Sequence, residues 1–166
     1  MATTFDFTLN GETRRVVDCS PTLTVLQYLR HHGWTGSKEG CAEGDCGACT
    51  VLLGDLVDDH VAYRPVNACI LFVPALNGRE LVTVESLSKN GALHPAQQAM
   101  VDHHGSQCGF CTPGFVMSLA ALYEPGASPD DATINDALAG NLCRCTGYAP
   151  IVAAAKAMGG LPAASR

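Results

Sequence analysis

The chain has 166 residues, 47% of them hydrophobic, enough to build a core in one or two small domains. A formal net charge of −6 argues against nucleic acid as a partner. No apolar run is long enough for a helix to span a bilayer.

Phe5-Asp6-Phe7-Thr8-Leu9 alternates apolar and polar residues, as a half-buried strand does. Asn10-Gly11 is a strong hairpin signal, and Arg14 to Cys19 is expected as the return strand. Cys19 then reads as a small buried hydrophobe in that strand. Ser20 or Thr22 can cap a helix with Pro21 near its start, and Val25, Leu26 and Leu29 form its apolar stripe. His31 and His32 fall in its last turn as solvated residues, and Gly33 suits the position beyond it. A glycine-rich loop holding three cysteines comes next. It leads to a strand from Thr50 to Leu53 and an acidic turn around Asp55 to His60. Val66 to Phe72 and Leu81 to Val84 are expected as further strands. Hairpin, helix and mixed strands in this order suggest an α+β fold of the β-grasp type.

After Glu85 the hydrophobic period becomes helical. Leu93 to His103 reads as a helix with Pro95 in its first turn. Phe115, Val116, Leu119, Leu122 and Tyr123 form the stripe of a second, with Thr112 as N-cap and Pro113 as its first residue. Thr133 to Ala139 ends at Gly140, and the alanine-rich Pro150 to Met158 ends at Gly159-Gly160. Four short helices imply a four-helix bundle. The expected division is therefore a β-grasp domain over 1–84, a helical domain over 85–160 and an unstructured tail over 161–166.

Eight of the nine cysteines fall into two sets of four. Cys41, Cys46 and Cys49 have the C-x4-C-x2-C spacing of plant-type ferredoxins, and Cys69 completes the set from a separate segment. Cys108, Cys111, Cys143 and Cys145 are spaced C-x2-C and C-x-C. Each set has the count needed to hold one 2Fe–2S cluster, and two clusters on a short chain point to electron transfer. In the first loop, Gly40, Gly44 and Gly47 offer positive φ, and small Ala42 and Ala48 leave room for N–H groups to approach the sulfurs. The second set lies in two interhelix turns, where the following helix N-termini would face an anionic cluster. Zinc remains open for this set, because C-x-C is tight for a tetrahedral ion but not excluded.

A disulfide scaffold is the rival use of so many cysteines, and it needs an oxidising compartment. Met1 to Asp6 has no export-signal features, and Arg14-Arg15 sits inside a strand-like segment. Metal-bound thiolates in a reducing cytoplasm are the expectation.

Glu39-Gly40-Cys41-Ala42-Glu43-Gly44-Asp45-Cys46-Gly47-Ala48-Cys49 resembles the iron–sulfur part of the molybdenum hydroxylases. So do Gly105-Ser106-Gln107-Cys108-Gly109-Phe110-Cys111-Thr112-Pro113-Gly114-Phe115 and Gly140-Asn141-Leu142-Cys143-Arg144-Cys145-Thr146-Gly147-Tyr148. The resemblance covers residues 4–158. Within the family, His94 to Met100 followed by His104 to Cys108 looks most like bacterial xanthine dehydrogenase. It implies electrons passing from a molybdenum–pterin centre through two 2Fe–2S clusters to FAD. Cys108, Cys111, Cys143 and Cys145 would hold the cluster nearer molybdenum, and Cys41, Cys46, Cys49 and Cys69 the one nearer the flavin. Gln107 matches a glutamine that hydrogen-bonds the pterin. With no dinucleotide-binding G-x-G-x-x-G and no molybdenum domain here, the expected partners are a molybdenum–pterin large subunit and an FAD-binding medium subunit. Small subunits of carbon monoxide, aldehyde and N-heterocycle dehydrogenases are alternatives, as is a free-standing ferredoxin.

Overall fold

The computed structural model describes residues 4–162. Strands β1 (Thr4–Leu9) and β2 (Glu12–Val17) form an antiparallel hairpin. Asn10 and Gly11, at φ 53° and 85°, make the turn that the sequence predicts. Helix α1 (Val25–His31) follows, then β3 (Thr50–Val57) and β4 (His60–Asn67), a second hairpin. Short β5 (Glu80–Val82) slots between the hairpins, parallel to β1 and antiparallel to β3, giving the order β2-β1-β5-β3-β4. Four further helices complete the chain: α2 (Pro95–Asp102), α3 (Thr112–Leu122), α4 (Asp131–Leu138) and α5 (Ala149–Ala157). Among the described residues the fold is a mixed sheet with five α-helices, consistent with a ferredoxin-like domain and a helical domain.

Two cores result. Phe5, Phe7 and Leu9 alternate inward from β1 and meet Leu26 and Leu29 of α1. Met100, Phe115, Leu119, Ile134 and Ile151 fill the space among α2, α3, α4 and α5. Strand β3 joins the two. Its first five residues are all buried, because Val51 and Leu53 enter the sheet core while α3 packs on the other side.

Several local expectations need correcting. The cap of α1 is Thr24, not Ser20 or Thr22. Thr24 Oγ1 accepts from the Gln27 N–H and Gln27 Oε1 accepts from the Thr24 N–H, a reciprocal pair that Ser20 and Thr22 cannot form. Strand β2 ends at Val17, and Cys19 lies beyond it, half-buried against the sheet core. Strand β3 runs on to Val57, narrowing the acidic turn to Asp58 and Asp59, both at positive φ. Val66 to Phe72 is not one strand: after Asn67 the chain folds back, with the N–H groups of Ile70 and Leu71 donating to the Asn67 carbonyl. Thr112 is the first residue of α3 and Cys111 its N-cap; the Thr112 hydroxyl bonds Ser106 instead. Asp130, not Thr133, starts α4 by accepting the Thr133 N–H. The expected tail does not begin at Leu161, which packs on the helical core and accepts the Tyr123 hydroxyl on its carbonyl; residues 163–166 lie outside the described residues.

The two halves meet at backbone distance. A Cβ on Gly114, in α3, would fall 2.0 Å from the Gly47 carbonyl oxygen. Gly114→Ala should therefore destabilise the chain by about 3 kcal/mol or more, overriding the ~1 kcal/mol that alanine gains in a helix. Gly140, with open space around its Cβ position, is the control, and Gly140→Ala should stay within about 0.5 kcal/mol. Urea denaturation of both variants checks the contrast.

Candidate metal centres

The first cysteine loop links α1 to β3 and is shaped by the N–H groups that point at Cys41. Those of Glu43, Asp45 and Cys46 donate to Cys41 Sγ at 3.5, 3.3 and 3.4 Å. With Glu43 and Cys46 contributing most, they hold the Cys41 thiol pKa down to about 6. Donors converging on one sulfur stabilise its thiolate. Gly44 and Gly47 take the expected positive φ, 89° and 68°. Gly40 does not; Ala42 takes a positive φ of 59° instead. Gly40 is needed for space, since a Cβ there would lie 2.8 Å from Cys46 Sγ.

Cys69 enters from the corner after β4 and lies against Cys49, both buried. Burial pushes the Cys69 thiol up to about 12, and the neighbouring Cys49 adds to the shift. The Asn67 side-chain amide donates to the Gly44 carbonyl and ties this corner to the loop. Cys41 lies beside Cys46, and Cys49 beside Cys69, as two neighbouring pairs.

Cys108 and Cys111 occupy the α2–α3 turn, and Cys143 and Cys145 the α4–α5 turn. Helix packing brings the two turns together, setting Cys111 against Cys143 and Cys108 against Cys145. Burial pushes the Cys111 thiol up to about 12. At Cys143 burial is the largest influence and acts upward, but hydrogen bonds from Thr146, Cys145 and Cys111 outweigh it and set the thiol at about 7. The Thr146 hydroxyl lies 3.3 Å from Cys143 Sγ. Tyr148, at φ 67°, accepts the Cys143 N–H on its hydroxyl at 2.9 Å. Neither α3 nor α5 has a side-chain cap, which leaves first-turn N–H groups at this end.

Thiol-only donor sets suit soft metal centres. Two sulfur pairs per set match a two-iron core, where each iron takes two thiolates beside the bridging sulfides. Among the described residues, no three His, Cys, Asp or Glu side chains form a ready single-ion site. Cys108 and Cys145 are exposed, and so is Gln107, whose side chain has no hydrogen-bond partner among the described residues.

The two cysteine sets are joined directly. The Leu142 N–H donates to the Cys46 carbonyl at 3.0 Å, so the residue before Cys143 is bonded to a cysteine of the first loop. Asn141 beside it is buried and reaches Gly47, Thr50 and Ser118. Spacing alone gave no role to Asn141, Thr146 or Tyr148. Their closeness to Cys143 in sequence was the available signal.

A family model described as "2Fe-2S iron-sulfur cluster binding domain" matches residues 7–74, and one described as "[2Fe-2S] binding domain" matches residues 83–156. Xanthine dehydrogenase of Blastobotrys adeninivorans is 47% identical over 153 residues, 90% of this chain and 11% of that protein. Aldehyde oxidase 2 of Cavia porcellus is 45% identical over 88% of this chain and 11% of its own. In the solved structure of quinoline 2-oxidoreductase from Pseudomonas putida 86, one chain is 32% identical with a TM-score of 0.79, and the match covers 95% of this chain and 96% of that one. The chain belongs to the iron–sulfur domains of the molybdenum hydroxylases. As a member of that family it carries two 2Fe–2S binding domains. It spans about a tenth of the length of the curated relatives it matches, 11% in the xanthine dehydrogenase above. Among the described residues no helix is long and apolar enough to cross a membrane.

Hydrogen bonds to cluster sulfurs raise a reduction potential. Thr146→Val removes the hydroxyl beside Cys143 Sγ and should lower the potential of one 2Fe–2S centre while leaving the other unchanged. A redox titration followed by electron paramagnetic resonance reads this, and two unmoved potentials would remove that hydroxyl from the centre.

Proposed function

We propose that this chain is the electron relay of a molybdenum hydroxylase, carrying electrons from a molybdenum–pterin centre towards FAD on partner subunits or domains. Cys108, Cys111, Cys143 and Cys145 hold the centre nearer molybdenum. Cys41, Cys46, Cys49 and Cys69 hold the one nearer the flavin. Each 2Fe–2S centre, when bound, supplies a one-electron carrier. The chain's own groups do the rest. Backbone N–H groups around Cys41 and the Thr146 hydroxyl at Cys143 stabilise charge on the sulfurs.

The observation that carries this reading is the Leu142 N–H bond to the Cys46 carbonyl. It completes a bonded route from one cysteine set to the other, through two peptide segments and one hydrogen bond. A shuttle ferredoxin needs no second set held this way.

A division into a β-grasp domain over about 1–84 and a four-helix bundle after it is supported by the two cores, with Val84 and Leu161 both packed on the helical one. Xanthine-type chemistry is one reading, supported by the 47% identity to a xanthine dehydrogenase, with aldehyde chemistry at 45% identity beside it; the match to nearly all of a quinoline oxidoreductase chain supports a separate small subunit. Eight thiolates held for metal suit a reducing cytoplasm. Gln107, exposed beside Cys108, is assigned the hydrogen bond to the pterin of the molybdenum partner, and its exposure supports that reading.

Cys108→Ser should abolish one of the two cluster signals in electron paramagnetic resonance and stop electrons leaving molybdenum. Two intact signals with normal turnover would refute the ligand assignment. Gln107→Ala should leave both signals unchanged and slow turnover in the assembled enzyme. Unaltered steady-state kinetics would return Gln107 to an ordinary loop residue.

A further inference from the structure

Asn141 is 3% exposed and sits two residues before Cys143. Its Nδ2 donates to the Gly47 carbonyl at 3.1 Å and to Thr50 Oγ1 at 3.3 Å, while its Oδ1 accepts from the Ser118 hydroxyl at 2.6 Å. The orientation of the amide follows from its partners. A carbonyl can only accept, so the nitrogen must face Gly47. The Thr50 hydroxyl already donates to the same carbonyl at 2.7 Å, leaving its oxygen to accept from Asn141.

One side chain therefore binds the first cysteine loop, β3 and α3 at once. Its own backbone is fixed as well, because the Asn141 N–H donates to the Leu138 carbonyl at the end of α4. The neighbouring contacts leave little freedom. Cys46 bonds Leu142 through the backbone, and a Cβ on Gly47 would fall 2.2 Å from the Gly140 carbonyl oxygen. A buried polar network of this kind is satisfied in one arrangement, since any shift leaves a donor or acceptor unpaired away from water.

We propose that Asn141 is the positioning residue that sets the distance and relative orientation of the two iron–sulfur centres. The proposal rests on the relay reading above. Asn141 acts through Gly47 on Cys46 and through Leu142 on Cys143, so its side chain fixes the route between the cysteine sets without touching a sulfur. The glycine contacts and the Leu142–Cys46 bond bring the halves together, and the Asn141 network ties that contact to β3 and α3.

Two reduced 2Fe–2S centres are paramagnetic, and their dipolar coupling falls with the cube of their separation and varies with orientation. The test is electron paramagnetic resonance on the iron-loaded full chain reduced with dithionite. The wild-type chain is expected to show both signals and a resolved splitting between them. Asn141→Ala should retain both signals and lose the resolved splitting. Both signals with an unchanged splitting would overturn the proposal. If Asn141→Ala loses a centre, Ser118→Ala decides, since it removes only the hydroxyl that donates to Asn141. That variant should keep both centres with a reduced or broadened splitting, and an unchanged splitting there overturns the proposal equally. A wild-type chain with fewer than two centres, or with two uncoupled ones, would instead defeat the relay reading itself.

Discussion

The helical half of the chain reaches the first cysteine loop at backbone distance, and it can do so only because Gly47 and Gly114 carry no side chain. A Cβ on Gly114 would fall 2.0 Å from the Gly47 oxygen, and one on Gly47 would fall 2.2 Å from the Gly140 oxygen. Main-chain groups on both sides of this contact need partners once water is excluded. The Cys46 carbonyl takes the Leu142 N–H, and the Gly47 carbonyl takes Thr50 and Asn141. Close approach and polar satisfaction thus select the same arrangement. The register between the two cysteine sets is its consequence.

The eight cysteines differ in burial. Cys49, Cys69 and Cys111 lie toward the protein interior, and burial pushes the Cys69 and Cys111 thiols up to about 12. Without metal those thiols stay protonated at neutral pH, so loading a centre must displace their protons. Cys108 and Cys145 are exposed, with Phe110, Leu142 and Tyr148 at the surface nearby. The second set therefore opens outward while the first is enclosed on its Cys49–Cys69 side. Neither core is large, and metal binding can supply folding free energy that such small domains lack.

Cysteine count and spacing carried most of the site in the sequence, because ligand geometry restricts spacing strongly. The two hydrophobic periods likewise separated sheet from helices, and Asn10-Gly11 placed the first turn. Local chemistry was harder to read. Ser20 and Thr22 are as good capping residues as Thr24, and only the reciprocal Gln27 bond decides among them. Val66 to Phe72 has strand-like composition, yet the corner that presents Cys69 depends on Asn67 reaching Gly44 across a long sequence gap. Gly40 was read for its dihedral freedom, whereas its role is room beside Cys46. Asn141 was the least visible, since all three of its partners lie on other elements.

The most direct test of the relay account is to purify the native complex through a tag on this chain and measure metals per copy. The account predicts about four irons and one molybdenum for each chain, with a molybdenum-binding partner retained. Zinc in place of iron, or four irons with neither molybdenum nor a partner, would contradict it.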